Sequence, residues 1–117
     1  MNLARCIPVP MALLASLLFA ASASSEVAIP RSKPNDASRY TLIESKRSGD
    51  VVTTLHKRVR DDKVTLIHSE INCKTRQMRE LGSGEGTLAR VKGQPTAWFT
   101  PVAGSSRSDL AQFVCKG

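Results

Sequence analysis

The chain has 117 residues, 17 Lys and Arg against 10 Asp and Glu, a formal net charge of +7, and 4% aromatic residues. That length holds one small domain. The basic balance favours anionic partners. So few aromatic rings are poor material for the stacking platforms of single-strand nucleic-acid binders.

Residues 1–23 read as a signal peptide. Arg5 is the one charge ahead of an apolar run from Val9 to Ala21, and Ala21-Ser22-Ala23 supplies small residues for cleavage after Ala23. The run falls short of the about 20 apolar residues that a membrane span needs. Cys6 precedes it, whereas a lipid-modified cysteine would stand at the cleavage site. Removal of the segment takes Arg5 with it and lowers the net charge from +7 to +6. The expected destination is the periplasm, the cell surface or the medium. Export argues against nucleic acid as the partner and leaves anionic envelope components, glycans, acidic proteins or a membrane surface.

Cys73 and Cys115 remain after cleavage. An even pair in an oxidising compartment predicts a disulfide, and its long closed loop is worth ~4 kcal/mol in the chain-entropy account. A metal pair or a catalytic thiol is the competing reading. Neither cysteine lies in a CxxC, and no histidine is adjacent to either.

Residues 24–38, broken by Pro30 and Pro34, read as a flexible leader, and residues 39–117 as the domain. Arg39–Ser45 predicts a first strand, Ser48-Gly49-Asp50 a turn, and Val51–Arg60 a second strand. Asp61-Asp62 predicts a turn and Lys63–Cys73 a third strand. Arg76–Leu81 follows as a strand, Gly82–Gly86 as a loop, and Thr87–Val91 and Ala97–Thr100 as short strands. Without βαβ alternation the sheet is expected to be antiparallel.

Two registers compete in the second hairpin. A three-residue loop gathers Val51, Leu55 and Val59 with Ile67, Ile71 and Cys73 on an apolar core face. It puts His56, Arg58 and Arg60 beside His68 and Glu70 on the outer face. A two-residue Asp61-Asp62 turn sets Leu55 against His68 and mixes the two sets. The cleaner segregation favours the three-residue loop, although that loop lacks a glycine.

The last element is a helix. Ser106 to Asp109 reads as a capping box with Ser106 as N-cap, and Leu110, Phe113 and Val114 fall on one face. Cys115 near its end should meet Cys73 at the end of the third strand. The expected fold is therefore α+β: a small antiparallel sheet with a C-terminal helix packed on it and tethered by a disulfide.

Ile71-Asn72-Cys73, Arg76, Trp98, Pro101, Gly104-Ser105, Leu110 and Val114-Cys115 together resemble the surface-adhesin protein E family of small exported bacterial proteins. The resemblance spans roughly Tyr40 to Cys115. It implies an antiparallel sheet with a disulfide-tied helix, and a role in binding host matrix or serum proteins. The chain departs from a surface-anchored pattern in lacking a lipoprotein cysteine.

Groups that carry chemistry are sparse. His56, His68 and Glu70 on one face would be short of the ligands a metal needs. The Gly82–Gly86 run has no following Lys-Ser or Lys-Thr to cradle phosphate, and no GxSxG is present. No catalytic residue, metal ligand or cofactor is expected, and an enzyme, such as a hydrolase, is the outlying reading. Lys57, Arg58, Arg60, Lys63, Lys74, Arg76 and Arg79 form the candidate binding surface, against the plainer reading of solubility and edge protection. The expected function is a non-enzymatic interaction protein for a protein or anionic partner. The alternative is a soluble periplasmic factor that binds envelope components or inhibits an envelope enzyme.

Overall fold

The structure, a computed structural model, describes residues 26–116. The expected signal peptide lies outside the described residues. Strands β1 (Val27–Ala28), β2 (Arg39–Ser48), β3 (Val51–Arg60), β4 (Lys63–Asn72) and β5 (Gln77–Glu85) form one antiparallel sheet in chain order, and helix α1 (Ser106–Cys115) follows. This is the small α+β fold that the sequence leads one to expect. The disulfide joins Cys73, just past β4, to Cys115 at the end of α1, with Cα atoms 5.4 Å apart.

Short turns between hydrophobic runs make the meander. Gly49, at a φ of 63°, supplies the left-handed conformation that a two-residue hairpin turn requires at its first central position. Asp61 does the same at a φ of 54°, which a short polar side chain tolerates. The β3–β4 loop is therefore the two-residue Asp61-Asp62 turn, with Arg60 opposite Lys63 and Leu55 opposite His68. The three-residue register does not form. The core face carries Val52, Thr54 and His56 opposite Ile71, Ser69 and Ile67. Leu55 and Leu66 are buried on the other face.

On the core face Ile71 and Met78 pack with Ile29, Leu110 and Ala111, and Tyr40, Leu42, Phe99, Phe113, Val114 and the disulfide surround them. Leu110 is 1% exposed, while Phe113 is only half-buried. The N-cap of α1 is Ser105 rather than Ser106: its Oγ accepts from the Ser108 N–H at 3.1 Å. Asp109 is then free of capping. It accepts from Arg31 Nε at 2.8 Å and from the Ser32 N–H at 3.1 Å.

Residues 26–38 are thus part of the domain and not a loose leader. β1 pairs with Leu42 and Thr41, Ile29 is 4% exposed, and Arg31 lies over the Tyr40 ring at 4.5 Å while bridging Asp36 and Asp109. Burial by itself would raise the Asp109 carboxyl, but the hydrogen bonds from Arg31 and Ser32 outweigh it and hold the group below the usual carboxylate range.

The chain after Met78 also departs from expectation. β5 runs on through Gly82-Ser83-Gly84-Glu85, so the glycine run is strand and not loop. A Cβ at Gly84 would lie 2.0 Å from the Arg90 carbonyl oxygen, and one at Gly82 would lie 2.9 Å from that of Lys92. The glycines let the returning chain press against the strand. That chain forms a 3-10 turn, Leu88–Arg90, in place of the expected strand Thr87–Val91. Ala97–Thr100 contributes only a bridge between Phe99 and Met78.

Candidate functional site

The hairpin turns sort the basic residues into two groups at opposite ends of the sheet. Arg58, Arg60 and Lys63 flank the β3–β4 turn. Lys74 and Arg76 lie in the β4–β5 turn at the other end, roughly 30 Å away for strands of this length. In that turn the Asn72 side chain accepts from the N–H groups of Lys74 and Thr75, and Arg76 takes a φ of 64°. The seven residues named from the sequence therefore do not form one surface.

Three of the seven have ion-pair partners, two of them at close range and the third, Lys63, in a looser exposed contact. Lys57 pairs with Glu26 at 2.8 Å. Arg79 pairs with Glu70 at 2.8 Å and stacks on Trp98 at 4.9 Å. Arg76 lines a separate depression with Phe113 and Lys116.

Arg58, Arg60 and Lys63 remain together. They line an open depression of about 1040 Å³ whose wall is completed by Asp61, Asp62, Val64, Glu85, Gly86, Thr87 and Arg90, so that three carboxylates share it with four cations. Arg90 was not among the candidates, because the expected strand over Thr87–Val91 gave it no defined place. The signal that could have found it is the glycine-spaced Gly84-Glu85-Gly86 ahead of Thr87, which lets the chain turn back on the strand. Lys63 lies 3.4 Å from Glu85, both well exposed, and such a contact is worth little. Arg58, Arg60 and Arg90 make no ion pair among the described residues. Three guanidinium groups free to donate in pairs suit carboxylate, sulfate or phosphate oxygens.

The histidines do not form a site. His56 lies opposite Ile67 on the core face, and His68 lies opposite Leu55 on the other. No group of three metal-type side chains occurs among the described residues. His56 is 6% exposed, with the Tyr40 ring 6.4 Å away. Burial pushes its imidazole down to about 4; the Glu80 carboxylate opposes this weakly and Arg107 adds to it. The ring is therefore neutral near pH 7. Thr54 Oγ1, His56 Nδ1 and Ser69 Oγ have no hydrogen-bond partner among the described residues. Glu80 is engaged by Arg107 through Nε at 2.6 Å, which ties the start of α1 to β5.

Among the described residues no helix is long and apolar enough to cross a membrane. No family model matches the chain, and neither a curated protein nor a solved structure is significantly similar to it.

Proposed function

We propose that this chain is an exported, non-enzymatic interaction protein that binds a carboxylate-, sulfate- or phosphate-bearing partner through the Arg58, Arg60, Lys63 and Arg90 end of its sheet. The observation that carries this reading is the grouping of three guanidinium groups without ion-pair partners around one open depression. The resemblance to the surface-adhesin protein E family supports an interaction role, with a host matrix or serum protein as the partner it implies. The disulfide suits an oxidising compartment.

The test is binding of the processed protein to immobilised heparin and to lipopolysaccharide, beside a variant carrying Arg58→Glu, Arg60→Glu and Arg90→Glu. The variant should lose at least about tenfold in affinity for one of the two, the equivalent of about one charge-assisted hydrogen bond. Wild-type binding should weaken as the Debye length falls from about 30 Å to about 8 Å between low and physiological salt. A Lys74→Glu, Arg76→Glu variant at the opposite end should bind as wild type does. Equal binding by all three proteins would overturn the proposal. Protease treatment of intact cells then separates a surface adhesin, which is shaved off, from a periplasmic factor, which is spared.

A further inference from the structure

Among the described residues, the outer edge of β2 is covered for only part of its length. β3 lines the inner edge throughout, from Arg39 opposite Val59 to Ser48 opposite Val51. On the outer side β1 meets only Leu42 and Thr41, and the Ile29 N–H donates to the Tyr40 carbonyl at 3.0 Å. From Ile43 to Ser48 no strand lies beside β2 among the described residues. The other edge of the sheet is closed, because β5 bridges to Lys92 through Ser83 and to Phe99 through Met78.

Alternation along the ladder decides which backbone groups are available. Ser48 and Val51 close the two-residue turn as a hydrogen-bonded pair, so Arg47 and Ser45 direct their N–H and C=O outward. Tyr40 and Leu42 face outward at the other end, and the bulge between Leu42 and Glu44 accounts for the change of phase. Residues Glu44–Ser48 are exposed throughout. Lys46 and Arg47, as neighbours on a strand, project to opposite faces. A chain laid along this edge meets a cation on each side.

We infer that the open half of the β2 edge is a docking site for an extended acidic peptide segment of a partner protein, which joins the sheet along Ser45–Ser48. The backbone groups of Ser45 and Arg47 supply the pairing, and Lys46 and Arg47 select acidic side chains. A second copy of this chain fits less well. The antiparallel register that engages both Ser45 and Arg47 of each copy sets Lys46 directly against Lys46, and like charges so placed repel. The chain's own N-terminus is also a poor occupant. Given cleavage after Ala23, only Ser24, Ser25 and Glu26 precede Val27, too few to reach Arg47 from the Val27–Leu42 pair.

The probe is a capped, fluorescently labelled peptide of alternating Glu and Val, titrated into the processed protein. It should bind, and its counterpart N-methylated at alternate residues should bind at least about tenfold more weakly. Ser45→Pro should weaken the unmodified peptide to a similar degree with thermal unfolding unchanged, because the lost N–H is not one that β3 uses. An Arg58→Glu, Arg60→Glu variant, which removes carboxylate binding at the basic depression, should keep the full difference between the unmodified and methylated peptides, which separates this edge from the depression. No binding, or equal binding of the methylated and unmethylated peptides, would overturn the inference. A peptide-independent dimer abolished by Ser45→Pro would also overturn it, by assigning the edge to a second copy.

Discussion

His56 is the residue whose environment has the clearest consequence. Its imidazole sits on the core face beside Tyr40, with Glu80 from β5 and Arg107 from α1 as its charged neighbours. Burial, the largest influence, lowers its pKa from the ordinary 6.5 to about 4. The unfolded chain therefore binds a proton more readily than the folded one between those values. The stability linked to this group is complete above pH 6.5 and is lost as pH falls toward 4. A shift of that size corresponds to ~3 kcal/mol. Thermal unfolding should fall steeply across this window in wild type and much less in a His56→Leu variant, measured by circular dichroism at stepped pH. Identical profiles for the two proteins would mean that the imidazole is solvated. Asp109 is distinguishable because the contribution of its depressed carboxyl is lost from the usual carboxylate range downward, on the acid side of the His56 window. None of this was legible in the sequence, where a histidine amid Lys and Arg reads as solvent-facing. Its partners Tyr40, Glu80 and Arg107 come from three separate elements.

Among the elements, α1 and β5 show where sequence pattern succeeds and where it stops. The i, i+3, i+4 spacing of Leu110, Phe113 and Val114 locates the helix and its apolar face, but not which side chain is the anchor. Leu110 is fully buried against Ile29, Ile71 and Met78, whereas Phe113 is half-buried and lines a depression with Arg31, Ser32 and Arg76. Leu110→Ala should cost about 2–5 kcal/mol in chemical denaturation, Phe113→Ala less, and the exposed Gln112→Ala almost nothing. In β5 the glycines read as a loop because strands disfavour them. Their role becomes visible only when the Arg90 and Lys92 backbone arrives on top. Gly84→Ala should therefore destabilise the protein by roughly 1–3 kcal/mol, since backbone must shift to admit a methyl group. A stability equal to wild type in the same measurement would show that the 3-10 turn is not packed against the strand. The β3–β4 register is hidden in the sequence for a related reason. The buried face includes Thr54, His56 and Ser69, so a search for the most apolar face selects the wrong pairing.

For the whole molecule, the count and placement of cysteines were enough to anticipate the disulfide, and the run of strands followed by a helix was enough to anticipate the sheet and its tether. Charge was legible only as a total. The sequence lays Lys57 to Arg79 out as one basic stretch, whereas the hairpins send its members to opposite ends and partner Lys57 and Arg79 internally. Arg90 joins Arg58 and Arg60 only because the chain doubles back after Gly86. The proposed interaction depends on that regrouping and not on net charge. The most direct measurement is the change in backbone amide NMR shifts of the processed protein on titration with a heparin oligosaccharide. Shifts should concentrate at Arg58, Arg60, Lys63, Gly86, Thr87 and Arg90, with Lys74 and Arg76 unmoved. Shifts centred on Lys74 and Arg76, or spread evenly over both ends, would contradict the proposal.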